Sequence, residues 1–275
     1  MLLCHNGKFI PADKPFLMAD NRSFRYGDGC FETMKVYQGQ LLLADLHFER
    51  LMASLHILHI DPAQFTKDYI SRLVLELCSR NNASELARVR LSVYRGGSGL
   101  YVPETNTPEF IIQSWELSRS IFELNETGLQ LDVFPDARKN TDKLSNIKSN
   151  NSLPYILGGI YAKQHGLQEV IMLNPYGRVA DTTIANIFMV KGKKIFTPPL
   201  SEGCVCGVMR KHILQMDLPF KVEEQPLSIE DLENADEIFL TNAVYGLRWV
   251  GRFRDSSYGN ATATIVHDLL HEGVL

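Results

Sequence analysis

Between Glu169 and Pro199 the chain packs four short apolar runs, EVIMLN, RVADTT, ANIFMV and KIFTPP. Little separates them except turn pieces, Asn174-Pro175-Tyr176-Gly177 and Lys191-Gly192-Lys193. Runs this short, closed by Gly, Pro and Asn, are strands rather than helices. Such a block commits this half of the chain to a β-rich layer with few helices. LQLDVFP before it and EIFLTNA after it add further strands.

The first half alternates its periods. Leu2 to His5 and Lys8 to Ile10 flank Asn6-Gly7, whose tolerance of positive φ makes a tight hairpin turn. Tyr26-Gly27-Asp28-Gly29 is a bend leading into a strand over Cys30 to Tyr37, turned back at Gln38-Gly39. From Asp45, the residues Phe48, Leu51, Met52, Leu55 and Leu58 fall at helical spacing, and a second helix runs from about Phe65 to Arg80. ARVRLSVY then places Val89, Leu91 and Val93 on one strand face and Arg88, Arg90 and Ser92 on the other. The glycine-rich RGGSGLYVPETNTPE links it to the strand EFIIQSW. From Leu117 to Gly128 apolar periodicity lapses. The chain is therefore read as an α+β protein with a small α/β domain over 1–116, a linker over 117–128 and a larger β-rich domain over 129–275.

Composition narrows the functional classes. A net charge of −4 leaves no basic surplus for nucleic acid. No apolar run approaches the roughly 18 residues of a membrane span, and MLLCHNGKFI lacks the form of a signal peptide, so the expected location is cytoplasmic. Five scattered cysteines do not form a disulfide framework. Cys204 and Cys206 have no second close pair to complete a zinc site, and no metal is expected.

Several positions could carry chemistry. Lys148 precedes a turn rich in Asn and Ser and then a helix in which Pro154 lies near the first turn, Ile156, Leu157, Ile160 and Tyr161 share a face, and Gly166 closes the end. A lone lysine is usually a solvated loop residue. Partly dried, it becomes an amine nucleophile or a proton carrier. Arg50 sits beside the apolar stripe of its helix, to snorkel or to hold an anion. His47, His56 and His59 read as surface or packing residues. A helix opening at Gly207 offers free amides to a phosphate, and Thr241-Asn242 adds a hydroxyl and an amide at a strand end. Ser228 with Asp231 resembles a capping box. Arg95 and Tyr101, in the loop between strands, are candidate contacts for a substrate anion.

In their order along the chain, NIKSNN, GRVADTTIANIFMV, KKIFTPPL, GVMRKHIL and ADEIFLTNA resemble the fold-type IV pyridoxal-phosphate enzymes, as do YGDGCFETMKVYQG and HFERL. That family includes branched-chain aminotransferases, D-amino acid aminotransferases and aminodeoxychorismate lyases. The resemblance implies pyridoxal 5'-phosphate as cofactor, a small-molecule amino substrate, and a homodimer with its site between two domains. It implies that Lys148 forms the Schiff base and moves the substrate proton, and that Arg50 binds phosphate. The amides of Val208 and Met209 match the phosphate cradle, and Thr241 with Asn242 matches a second phosphate contact. Asp181 falls where the family usually has a glutamate facing the pyridine nitrogen, and it is one methylene shorter.

Motifs within the family divide. Lys148-Ser149-Asn150-Asn151 fits the K-x-x-N pattern shared by the lyases and the D-amino acid aminotransferases, and RGGSGLY is similar to the lyase loop. Phe31-Glu32-Thr33, candidate substrate contacts at Phe31 and Thr33 with Asn151, carries a glutamate that is the transaminase-like choice. The resemblance thus implies an aminodeoxychorismate lyase first and a class IV aminotransferase second, with a ligand-binding relative that has lost turnover as the third reading.

Overall fold

The computed structural model describes residues 1–63 and 65–274. It divides into two units, Met1–Ile121 with Ile147–Asn151, and Phe122–Asn146 with Ser152–Leu275. The division after Ile121 lies inside the polar stretch 117–128. The segment Ile147–Asn151, which carries Lys148, packs with the first unit.

The first unit contains β1 (Leu2–His5), β2 (Lys8–Pro11), α1 (Arg22–Tyr26), β3 (Gly29–Tyr37), β4 (Gln40–Leu41), α2 (Ala44–Ile57), α3 (Lys67–Arg80), β5 (Leu86–Arg95) and β6 (Pro108–Glu116). The strands form one sheet in the order β2-β1-β6-β5-β3-β4. Asn6 and Gly7 adopt φ of 50° and 81°, the positive values expected of that turn. The helix α3 begins where the Thr66 side chain accepts a hydrogen bond from the Tyr69 amide. Alternation along the strands sends Met34, Val36, Val89, Leu91, Phe110 and Ile112 into a core with Leu51, Leu55, Ile70, Val74 and Leu77 of the two long helices. The opposite face carries Phe31, Thr33, Arg90 and Ser92, because Phe31 pairs with Ser92 and Thr33 with Arg90 across β3 and β5.

The second unit contains β7 (Leu129–Val133), α4 (Leu153–Gln164), β8 (Glu169–Leu173), β9 (Val179–Thr182), β10 (Asn186–Lys191), β11 (Lys194–Thr197), α5 (Val208–Gln215), β12 (Lys221–Glu224), α6 (Ile229–Glu233), β13 (Glu237–Asn242), β14 (Gly246–Phe253), β15 (Ser256–Ser257) and α7 (Ala261–Val274). Its sheet runs β12-β11-β10-β13-β14-β7-β8-β9, with β15 on β14. Ile171, Ile187, Met189, Ile238, Leu240 and Val250 fill its core. The capping box at α6 is complete, with Ser228 accepting from the Asp231 amide and Asp231 accepting from the Ser228 amide. The start of α7 is held by Glu237, whose two oxygens accept from the Thr262 and Ala263 amides at 2.8 and 3.0 Å.

The helix α4 lies with its small side inward. Gly158 and Ala162 are buried, and a methyl at Gly158 would come within 2.9 Å of Thr183 Cγ2. Leu153, Ile156, Leu157 and Ile160 are all exposed. These four side chains thus face outward, while Tyr161 packs partly buried against Phe134. No helix among the described residues is long and apolar enough to cross a membrane.

Candidate functional site

In the first unit, Lys148 is placed by strand pairing. The Phe31 amide donates to the Lys148 carbonyl at 2.9 Å and the Asn150 amide to the Gly29 carbonyl at 3.0 Å, with Cys30 opposite Ser149. These bonds add residues 148–150 to the edge of β3. The Lys148 side chain is half-buried, its Nζ 4.7 Å from the centre of the Phe31 ring. Arg90 lies over the same ring at 3.6 Å, and Thr33 is next along the face. One aromatic ring therefore gathers two cations. Asn151 sits against the end of α1, where a methyl on Gly27 would come within 2.7 Å of its Oδ1.

Behind this face, Arg50 meets Glu32. Arg50 Nε lies 2.8 Å from Oε1 and Nη2 lies 2.5 Å from Oε2, while His47 Nδ1 donates to Oε2 at 2.7 Å. Glu32 and His47 are almost fully buried, and Arg50 nearly so. Burial alone would push the Glu32 carboxyl up; the Arg50 guanidinium and the two hydrogen bonds outweigh it and hold it down at about 2. Burial pushes the His47 imidazole down, against the pull of Glu32. His47 thus donates as a neutral ring. It is a buried polar partner, which its reading as a surface or packing residue did not anticipate.

Arg95 is engaged along its whole fork. Nε donates to Asp28 at 3.0 Å, Nη1 to the His59 carbonyl and Asn106 Oδ1, and Nη2 to the Leu58 carbonyl. Arg22 shares Asp28 and donates to the carbonyls of Ser98, Gly99 and Leu100. Two arginines on one carboxylate therefore tie the glycine-rich loop to the sheet. Tyr101, at its tip, is 89% exposed and lies 5.7 Å from the Tyr26 ring.

In the second unit, Asp181 closes β9 with its carboxylate buried. Its Oδ2 accepts from Lys139 Nζ at 2.9 Å, from the Tyr155 hydroxyl at 3.1 Å and from the Val205 amide at 3.0 Å. Its Oδ1 is buried and has no partner. Burial pushes the Tyr155 phenol well above its ordinary value, and the Asp181 charge adds to this, so Tyr155 is a donor. Neither Lys139 nor Tyr155 stood out in the sequence. Ordinary residue types, 42 and 26 positions from Asp181, give no local signal of the contact.

The same unit holds the expected phosphate residues other than Arg50. Gly207 caps α5 without a side chain, so the amides of Val208 and Met209 lack the partner a Ser or Asp cap would give. Asn186 braces this start: its Nδ2 donates to the Val205 carbonyl at 2.9 Å, and a methyl on Gly207 would fall 1.8 Å from its Oδ1. Thr241 is paired with Asn186 across β10 and β13. Its Oγ1 is buried and also has no partner. Asn242 is used differently, accepting from the Val244 and Tyr245 amides to close the turn after β13.

A buried polar atom left unpaired costs about 1–3 kcal/mol, and Asp181 Oδ1 and Thr241 Oγ1 are two such atoms. One is an acceptor that suits a protonated ring nitrogen. The other is a donor that suits a phosphate oxygen, as do the open amides of α5. These residues fit a phosphorylated pyridine.

Residues 29–253 match the family model described as Amino-transferase class IV. The aminodeoxychorismate lyase of Vibrio harveyi is 31% identical over 232 residues, covering 82% of this chain and 83% of its own. A putative branched-chain-amino-acid aminotransferase of Methanocaldococcus jannaschii is 31% identical over 239 residues, covering 86% and 82%. Among solved structures, a T.th. branched-chain amino acid aminotransferase complexed with N-(5'-phosphopyridoxyl)-L-glutamate superposes with a TM-score of 0.88 at 21% identity, covering 99% of this chain and 93% of its own.

Proposed function

We propose, from the premise that this chain belongs to the amino-transferase class IV family, that it is a 4-amino-4-deoxychorismate lyase that anchors pyridoxal 5'-phosphate on Lys148. The observation that carries the cofactor assignment is the pair of buried, unpartnered atoms Asp181 Oδ1 and Thr241 Oγ1, which a ring nitrogen and a phosphate would satisfy. Val208 and Met209 would add amides to that phosphate, and Arg50, as expected from the family, a guanidinium. When bound, the cofactor supplies an electron sink for the pair left by a broken Cα–H bond. Lys148, half-buried over Phe31, would be the amine that joins the cofactor and the base that carries the Cα proton. In the lyase reaction, loss of that proton is followed by expulsion of pyruvate as the ring becomes 4-aminobenzoate, a folate precursor.

The lyase is preferred on Lys148-Ser149-Asn150-Asn151 and RGGSGLY, together with the Vibrio harveyi relative. Glu32 argued for a transaminase by its type alone, and both its oxygens are taken by Arg50 and His47. A class IV aminotransferase is the second reading, favoured by the similarity to the Methanocaldococcus jannaschii protein. Phe31, Thr33, Asn151 and Tyr101 are the proposed substrate contacts, with Arg95 acting on substrate through the loop it ties down.

Purified protein should show a visible absorbance band that borohydride removes and that Lys148→Ala lacks. A colourless wild type that cannot be reconstituted would overturn the cofactor assignment. Aminodeoxychorismate should then yield pyruvate; amino exchange between amino and 2-oxo acids without pyruvate would overturn the lyase in favour of the aminotransferase.

The exposed stripe Leu153, Ile156, Leu157 and Ile160 supports the homodimer. Sedimentation showing a monomer at micromolar concentration would contradict it. The buried thiols of Cys4, Cys30, Cys78 and Cys204 suit the reducing cytoplasm, which is the proposed location.

A further inference from the structure

Asp181 is one methylene shorter than the glutamate expected at its position, and the three donors on Oδ2 decide what is left of it for a ring. Two of them are side chains that come from outside β9: Lys139 from the segment after β7, and Tyr155 from the first turn of α4. They also touch each other, since Lys139 Nζ donates to the Tyr155 hydroxyl and lies 5.0 Å from the centre of its ring. Both are largely dried: Lys139 is 8% exposed, and burial keeps the Tyr155 phenol protonated. An ammonium in a dry site 2.9 Å from a carboxylate draws strongly on its charge. Meanwhile the Val205 amide, just ahead of α5, fixes the third direction on Oδ2.

We propose that Lys139 and Tyr155 are positioning residues that act through Asp181. With the Val205 amide they saturate Oδ2, so that Oδ1 is the single acceptor presented to a protonated ring nitrogen. The Lys139 charge then limits how strongly Asp181 holds that proton. The orientation compensates for the short side chain, and the cation softens the electron sink compared with a carboxylate that has only neutral partners. The proposal rests on the reading of Asp181 as the ring-nitrogen partner.

The test is binding to the apoprotein, by equilibrium dialysis, of pyridoxal 5'-phosphate and of its 1-deaza analogue, which has carbon in place of the ring nitrogen. The ratio of the two dissociation constants reads the contact between Asp181 and the nitrogen alone. Wild type should favour the nitrogen-bearing ring, and Asp181→Asn should bring the ratio close to one. Lys139→Met should raise the ratio about tenfold, because the competing charge is gone. Tyr155→Phe should raise it about twofold through loss of one neutral donor. Lys139→Arg, which keeps the charge, should restore the wild-type ratio. If Asp181→Asn collapses the ratio while Lys139→Met and Tyr155→Phe leave it unchanged, the two residues are structural and the proposal fails with the reading of Asp181 intact. A wild-type ratio near one, unmoved by Asp181→Asn, overturns the reading of Asp181 itself. Should Lys139→Met not fold, Tyr155→Phe still decides.

Discussion

Arg50 and Glu32 meet fork to fork, with Nε to Oε1 at 2.8 Å and Nη2 to Oε2 at 2.5 Å, inside the first unit. The guanidinium proposed to hold a phosphate is thus already oriented by a buried carboxylate. Removing one partner of such a pair strands the other charge, which costs about 3–5 kcal/mol. Glu32→Gln is expected to lose that much in urea unfolding of the apoprotein. A loss below about 1 kcal/mol would mean that water reaches Arg50 as Glu32 leaves.

Arg50→Ala alone would confuse two effects, since it removes the proposed phosphate ligand and also strands Glu32. The double variant Glu32→Gln with Arg50→Met separates them. Replacing both members of a buried pair is close to neutral for folding. Stability should recover most of the single-variant loss, while cofactor affinity should remain about 10–100-fold weaker, the worth of one charge-assisted hydrogen bond. Recovery of affinity together with stability would remove Arg50 from the phosphate site.

The same pair sets a pH window. The Glu32 carboxyl is held at about 2 against an ordinary value of 4.5. A depressed carboxylate stabilises the fold fully above its unfolded value and loses that contribution as pH falls through its folded value. The contribution is therefore complete above about pH 4.5 and declines toward about pH 2, and amounts to about 3 kcal/mol. Urea midpoints of wild type and Glu32→Gln should differ most at about pH 6 and converge by about pH 2. A difference that stays constant over that range would show that the charge of Glu32 is not what stabilises it.

The parts of this molecule legible in the sequence are those in which the physical cause is local. Asn6-Gly7 specified its hairpin, Val89, Leu91 and Val93 their strand face, and Ser228 with Asp231 their capping box. α7 and β14 were not read: GLRWVGRF breaks its apolar run with Gly and Arg, and α7 takes its N-terminal cap from Glu237, about two dozen residues upstream. The outward face of α4 has the same origin, because periodicity shows that apolar residues share a face and not which side the neighbours occupy. At the candidate site, residue type and motif order pointed to Lys148, Asp181 and Thr241. The contacts of Lys139 and Tyr155 with Asp181, and of His47 with Glu32 beside Arg50, join residues 42, 26 and 15 positions apart in the chain and leave no pattern in it.

The loop between β5 and β6 should depend on Arg22. Its Nη1 reaches the carbonyls of Ser98, Gly99 and Leu100, and Asp28 holds it beside Arg95. Arg22→Ala leaves Asp28 paired with Arg95, so the global cost should be modest, about 1–2 kcal/mol. Local release should be larger. Limited proteolysis is expected to cut within residues 98–104 at least several-fold faster than in wild type, and an unchanged cleavage rate would show that other contacts hold the loop.

Gly207 tests the start of α5. A methyl there would fall 1.8 Å from Asn186 Oδ1, so Asn186 must move and its bond to the Val205 carbonyl must break. Gly207→Ala should therefore cost about 1–3 kcal/mol and weaken phosphate binding with it, since the helix start is displaced. Inorganic phosphate, which has no ring, serves as the probe. Wild-type protection of the apoprotein by phosphate in a thermal melt should be lost in Gly207→Ala, and full protection would show that the amides of Val208 and Met209 are not the anion site.

Thr241 gives the sharpest separation of folding from binding. Its Oγ1 is buried without a partner, so the hydroxyl contributes an unpaired donor and acceptor to the apoprotein. Thr241→Val keeps the shape and the branched side chain that suits β13, and removes only that hydroxyl. Deleting an unsatisfied group should leave the apoprotein as stable as before or raise it by about 1 kcal/mol. Cofactor affinity should move the opposite way, falling about tenfold as a charge-assisted hydrogen bond to phosphate is lost. A variant less stable as apoprotein would mean that the hydroxyl already has a partner there. A variant with unchanged affinity would mean that the phosphate lies elsewhere.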